Sequence, residues 1–203
     1  MSQIKKIAIV WESQTGGGVN SYLKYLLQSR VFLDKQITIF TNSENKGAKF
    51  LIKDFAQQKN IKFIFFNSFF VFNRKRSLLE KLLYYFFKPV FFIATIFRFK
   101  KILSNSEFDA LLCTCGTYGN FMSEIAAIFA AKNTQITVKS IVVHHACIKP
   151  PIFMGIVFKI IDTNETANIA INSRMSRGVK LKKYKKNVCF SIPLTWFTNK
   201  LVK

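Results

Sequence analysis

The sequence predicts a doubly wound α/β fold, a parallel sheet of about seven strands with helices on both faces. Three observations carry that reading. Short, continuous apolar runs alternate with longer segments of helical periodicity. The first apolar run leads through a glycine loop into a helix. Half of the residues are hydrophobic, enough to pack a core on both faces of a sheet.

The elements follow in order. Ile7, Ala8, Ile9, Val10 and Trp11 form an uninterrupted apolar run, as expected of a parallel strand buried on both sides. Gly16, Gly17 and Gly18 make the loop. Val19, Tyr22, Leu23, Leu26 and Leu27 then recur on one helical face. Residues 37–40 read as a strand, 46–58 as a helix and 61–66 as a strand. Residues 77–103 read as a helix bent or broken at Pro89, because proline disfavours the helical region for the residue before it. Residues 109–114 are a strand, 121–131 a helix and 138–143 a strongly apolar strand ending at His144 and His145. Residues 152–161 form a short apolar helix. Strands at 168–172 and 188–192 complete the seven, and between them 174–186 is a basic helix opened by Ser173, a good N-cap. No internal repeat or linker interrupts the series.

The chain has 203 residues, the size of one domain or a large half of something bigger. Its 31 Lys and Arg against 10 Asp and Glu give a net charge of +21. Such a balance points to a polyanionic partner, nucleic acid or an anionic membrane surface, although an AT-rich genome also raises Lys, Phe, Ile and Asn. The 23 Phe are interleaved with the cations. The apolar run at residues 7–11 is too short for a signal-peptide core. The longest uncharged stretches are about 14 residues, short of a membrane span. The best candidate, residues 82–97, is interrupted by Lys88 and Pro89. The expected location is therefore cytoplasmic, peripheral on the inner face of the plasma membrane.

Four cysteines are present: Cys113, Cys115, Cys147 and Cys189. No second pair with zinc spacing follows Cys113 and Cys115, which read as buried free thiols on alternate faces of a strand. With two histidines and no accompanying carboxylates, no metal is expected. The glycine loop lets a ligand approach the backbone, and a helix N-terminus beside it favours phosphate. It is neither a dinucleotide fingerprint nor a Walker loop, and a bare tight turn explains it as well. His144 and His145 stand at the C-terminal end of a strand, where α/β proteins place ligands, with Lys149 close behind. A structural histidine is the competing reading. Arg74, Lys75, Arg76 and Lys81, followed by Leu82, Tyr84, Tyr85, Phe86 and Phe87, read as a basic aromatic element. One of its faces belongs to the core and one to an anionic membrane. No RNP-like motif, zinc finger or helix-turn-helix signature supports a nucleic-acid partner.

Taken together, these segments resemble the N-terminal domain of GT-B glycosyltransferases of family 4. The resemblance lies in the first strand, glycine turn and helix (residues 6–23), the strand opened by Asp109, and the strand ending in His144. It continues in Ala170 to Ser173 and in the last strand before Pro193. It implies a Rossmann-like acceptor-binding lobe over residues 1–193, with 194–203 starting the interdomain hinge or a tail. It also implies that Gly16, Gly17 and Gly18 face the donor diphosphate and that His144 lies near the reacting sugar. Asn20, His145 and Lys149 would contact the acceptor. The donor would be a nucleotide sugar, with no cofactor, and the acceptor a glycan or lipid at the membrane. Two departures stand out. Leu194, Thr195 and Trp196 follow Pro193 where the family continues Asn-Gly, and no two glutamates are spaced as its Glu-x7-Glu motif requires. The expectation is a half-enzyme or truncated product whose donor-binding domain is absent or separately encoded. A non-catalytic basic membrane-binding module is the alternative, and a nucleic-acid-binding protein the lesser one.

Overall fold

The structure, a computed structural model, describes residues 4–13, 17–70, 77–117, 122–145, 168–171 and 188–189. Their elements are β1 (Lys6–Trp11), α1 (Gly18–Gln28), α2 (Arg30–Leu33), β2 (Gln36–Asn42), α3 (Lys46–Asp54) and β3 (Ile61–Phe66). There follow α4 (Leu78–Ser104), β4 (Ala110–Thr117), α5 (Met122–Ala131), β5 (Val138–His145), β6 (Asn168–Ile171) and β7 (Val188–Cys189). The strands form one parallel sheet in the order β3-β2-β1-β4-β5-β6-β7. The doubly wound reading is thus correct. The predicted helices at 152–161 and 174–186 lie outside the described residues.

Alternation along the strands sorts the side chains into two cores. Ile7, Ile9 and Trp11 face α1 and α3, with Ile37, Ile39, Ala110 and Leu112 beside them. Ala8 and Val10 face α4 and α5, with Phe40, Leu111, Cys113 and Ile141. Burial on both faces is why β1 reads as an unbroken apolar run. Cys113 and Cys115 are buried free thiols, but they share the second core. Two residues apart on a strand means one face, not alternate faces.

Asp109 ties the strands together at their N-terminal edge. Its Oδ2 accepts from the Lys5 and Lys6 amides at 2.7 and 2.8 Å. The exposed Lys6–Glu107 ion pair lies beside it. This opening aspartate is therefore structural, at the end of the sheet away from the ligand edge.

Two helices depart from expectation. Helix α3 stops at Asp54 rather than 58, because Phe55 is buried and a turn from Phe55 to Gln58 leads directly into β3. Helix α4 runs 27 residues straight through Pro89 without a break. Its start is fixed by a capping box in which Ser77 Oγ accepts from the Glu80 amide and Glu80 Oε2 from the Ser77 amide. Proline removes one intrahelical donor. Here both Pro89 and the Tyr85 residue whose carbonyl loses its partner are exposed, so the lost bond falls where solvent can reach it. The unbroken helix is long and apolar enough to cross a membrane by length and composition. The sequence segmentation had ruled that out. However, Tyr84, Lys88, Phe92, Thr95, Phe99 and Leu103 all lie buried along one side. Phe99 is wedged edge-on between Phe40 and Phe66, at centroid distances of 6.4 and 5.5 Å.

That rotation of α4 predicts a sharp contrast in chemical denaturation. Phe99→Ala removes a fully buried ring and should cost about 3–5 kcal/mol. Phe97→Ala, at a position 65% exposed, should change stability by no more than about 0.5 kcal/mol. Similar losses at both positions would show that the helix is rotated otherwise.

Candidate functional site

Parallel sheets of this order bind ligands where neighbouring strands send their connections to opposite faces. Here that point lies between β1 and β4. From β1 the chain enters α1 on one face, and from β4 it enters α5 on the other. Three groups of residues meet at this C-terminal edge.

The first group is the start of α1. Gly17 and Gly18 are exposed, and a Cβ built on either would meet none of the described residues within 4 Å. Neither glycine adopts the left-handed conformation that would demand it. Packing against the described residues therefore does not explain their presence. Among the described residues no side chain caps α1, and its first turn holds no acid. By contrast, α3 is capped by Asn45 and α4 by its capping box. Among the described residues, nothing covers the N–H groups and positive dipole end of α1, a favourable place for an anion. Gly16 lies outside the described residues. Asn20, one turn into α1, packs its amide against Gly47 of α3, and its Oδ1 has no partner among the described residues.

The second group surrounds His144, half-buried near the end of β5. Its Nε2 is 3.0 Å from the Thr114 hydroxyl on β4. Its ring meets Tyr22 of α1 edge-on, with centroids 4.7 Å apart. Burial pushes the Tyr22 hydroxyl up to about 12, so it stays neutral. Strand and helix together fix the imidazole plane, on the same face of the sheet as the glycines. His145 ends β5, and Lys81 lies in the first turns of α4. Lys149, Arg74, Lys75 and Arg76 lie outside the described residues.

The third group was not anticipated. Glu12, just past β1, and Glu124, in the first turn of α5, are both fully buried on the opposite face. Glu124 Oε1 accepts the Glu12 amide at 2.8 Å. Ser68 donates to Glu12 Oε1, and Asn42 Oδ1 accepts the Ser13 amide at 3.1 Å. One oxygen of each carboxyl, Glu12 Oε2 and Glu124 Oε2, and Asn42 Nδ2 have no partner among the described residues. Burial pushes the Glu12 carboxyl up to about 7, and the neighbouring Ser123 hydroxyl and amide offset only part of that. Burial, and then the charge of Glu12, pushes Glu124 well above the ordinary carboxylate range. Two adjacent buried carboxyls cannot both ionise cheaply, so the pair retains a proton near neutral pH. The available signal was an acid at the end of one apolar run and another inside a second, in a chain with only 10 acidic residues.

No family model matches the chain, and no curated protein matches its sequence. Solved structures do match. A glycosyltransferase from Rickettsia africae ESF-5 superimposes with a TM-score of 0.61 at 16% identity, over 92% of this chain and 42% of that one. The fold is similar to that of a GT-B glycosyltransferase lobe. Two further structures align with lower scores. LpCGTa in complex with UDP has a TM-score of 0.48 at 10% identity, over 83% of this chain and 46% of that one. The apo form of the lipopolysaccharide outer core galactosyltransferase WaaB has a TM-score of 0.45 at 14% identity, over 92% and 44%. The chain spans less than half the length of each neighbour.

The site makes two predictions about stability. Gly18→Ala should leave stability in thermal melts unchanged or raise it by at most about 1 kcal/mol, since alanine favours the helix and meets no obstacle among the described residues. A clear loss would mean that the glycine serves the fold. The second concerns the acid pair. A carboxyl whose value is raised by folding holds its proton more tightly in the native state. Its contribution is intact below the ordinary value of 4.5 and is lost as pH rises toward 7. Glu124→Gln keeps the oxygen that accepts the Glu12 amide and removes the charge. In melts, the variant should gain about 1–3 kcal/mol over the parent at pH 8 and little at pH 4. An equal effect at both pH values would contradict a shared proton.

Proposed function

We propose that this chain is the acceptor-side, N-terminal lobe of a glycosyltransferase. The reaction is transfer of a hexosyl group from a nucleotide sugar to a hydroxyl of a membrane-associated glycan or lipid, in polysaccharide or glycolipid synthesis. One observation supports the reading above the others: the uncapped, glycine-opened start of α1 stands beside the oriented His144 at the ligand edge of the sheet. Gly16, Gly17 and Gly18 offer backbone N–H groups and the helix dipole to the donor diphosphate. His144, held by Thr114 and Tyr22, positions the acceptor and the reacting sugar. Asn20, His145 and Lys149 contact the acceptor. No cofactor takes part.

The donor-binding half is supplied by a second domain, separately encoded or otherwise joined. Two lobes that close on donor and acceptor expel water and align the reacting groups, which one lobe alone cannot do. The chain works at the cytoplasmic face of the plasma membrane. Its charge of +21 suits an anionic surface, and Arg74, Lys75, Arg76 and Lys81 contribute to that contact.

Transfer of a radiolabelled sugar to lipid acceptor tests this reading. The chain alone should be inactive, and adding a donor-binding domain should give turnover. His144→Ala should then lower kcat by roughly a hundredfold or more, with folding unchanged. Robust turnover by the isolated chain would overturn the half-enzyme reading, and full activity of the variant would remove His144 from the reaction.

A further inference from the structure

One cavity at the ligand edge stands apart from the glycine turn and His144. It measures about 430 Å3 and lies where the chain leaving β3 meets the first half of α4. That volume is within the range of small-molecule sites. Much of its lining is aromatic. Phe69 and Phe91 stack with centroids 5.2 Å apart and planes 8° from parallel. Tyr84 and Phe87 lean on Phe91 at 36° and 39°, so the four rings form one continuous surface. That surface is held in place. Arg98 sets its guanidinium 5.4 Å from the centroid of Phe69 and donates to the Asn67 carbonyl at 2.7 Å. The Tyr84 hydroxyl donates to the Phe70 carbonyl at 3.5 Å. Ser68 and Glu80 add polar atoms to the lining.

The lining excludes more than it admits. In a chain of net charge +21, no Lys or Arg stands among the described residues that line this cavity, and their one charged group is a carboxylate. A phosphate, a nucleotide or an acidic sugar would be repelled. Glu80 lies in the first turn of α4, where its Oε2 accepts the Ser77 amide at 2.7 Å and the Ser77 hydroxyl at 3.0 Å. The positive end of the helix offsets its charge. It therefore serves as a hydrogen-bond acceptor more than as an uncompensated anion, which disfavours a ligand selected for positive charge. A hydrocarbon chain would strip water from the carboxylate and return no hydrogen bond. What fits is a neutral ring with one apolar face and hydroxyls around its edge. A pyranose has that form. Its C–H groups can lie on the electron-rich ring faces, and its hydroxyls can donate to the carboxylate.

We propose that this cavity is a carbohydrate subsite that binds a neutral pyranose of an oligosaccharide acceptor. This rests on the reading that the chain is an acceptor-side lobe, and it names a glycan as the part of the acceptor that the lobe grips. Distance places the ring within that glycan. The cavity lies just past the end of β3, and His144 stands near the end of β5. Four strand spacings separate those ends, roughly 19 Å at about 4.8 Å each. One sugar cannot touch both. The pyranose in the cavity is thus an earlier unit of the acceptor, and the unit that reacts lies farther along the same chain.

Saturation-transfer NMR of the full chain tests the proposal, with the methyl pyranosides of glucose, galactose, mannose and N-acetylglucosamine as probes. At least one should bind, with saturation strongest on its ring C–H groups. Phe87, 43% exposed, can be changed without opening the core. Phe87→Ala should weaken binding at least about fivefold with unchanged melting, and Phe87→Trp should restore it. Glu80→Gln keeps an acceptor oxygen and should retain binding. Four silent glycosides overturn the proposal, as does binding that Phe87→Ala leaves intact. So does octyl glucoside that binds below its micelle concentration while methyl glucoside does not, since a hydrocarbon chain would then be the ligand. Choline that binds in place of the sugars and is lost in Glu80→Gln overturns it in favour of a cation. The assay contains no donor, membrane or partner domain. A chain that binds pyranosides yet never transfers sugar keeps the subsite and loses the enzyme. A chain that transfers sugar to an oligosaccharide with the same acceptor KM in Phe87→Ala keeps the enzyme and loses the subsite.

Discussion

The rest of the fold depends on how β1 is held. It pairs in parallel with β2 on one side and β4 on the other, and both of its ends are tied by carboxylates. At the start, Asp109 accepts the Lys5 and Lys6 amides. At the end, Glu124 accepts the Glu12 amide from across 112 positions of sequence. The first bond sets the register of β1 against β4 at the structural edge. The second joins the exit of β1 to the entry of α5 at the ligand edge. Between them they fix where the glycine turn stands relative to the helix on the other face.

The two ends differ in cost. Asp109 works at a partly solvated edge, where a carboxylate is easily accommodated. Glu12 and Glu124 are buried, with oxygens unpartnered among the described residues and their proton affinity raised. A sheet designed only for stability would place apolar or neutral groups there. Retaining two acids at the strand exit spends stability on a fixed, polar junction next to the place where ligands bind in this topology. His144 shows the same economy on the other face, its ring set by a buried hydroxyl and an aromatic edge rather than left to solvent. The start of α1 completes the pattern, since no described side chain caps the N–H groups that a ligand would take.

Much of this was legible in the sequence. Strands β1 to β5 and helices α1, α3 and α5 followed from apolar period and glycine punctuation, because those signals are local. Gly17, Gly18 and His144 stood out for the same reason, as chemistry-bearing residues at element ends. The Glu12–Glu124 pair was not legible as a pair, since the two acids stand 112 positions apart and only the fold brings them together. Nor was the true character of α4. Apolar residues cover nearly its whole circumference, so its period is blurred, and Pro89 reads as a break until the position proves to face solvent. Sorting the helix into a core stripe and an outer stripe required knowing which side the sheet occupies. Cys113 and Cys115 teach a smaller lesson, that spacing by two on a strand means one face.

The central claim is that the β1–α1 turn and the end of β5 form one anion-binding edge. Amide NMR of the labelled chain, titrated with inorganic pyrophosphate, tests it most directly. The account predicts that the largest shift changes fall on Gly17, Gly18 and Val19, accompanied by His144, and that they weaken with salt. Changes spread over the lysines of α3 and α4, with the α1 amides unmoved, would contradict it.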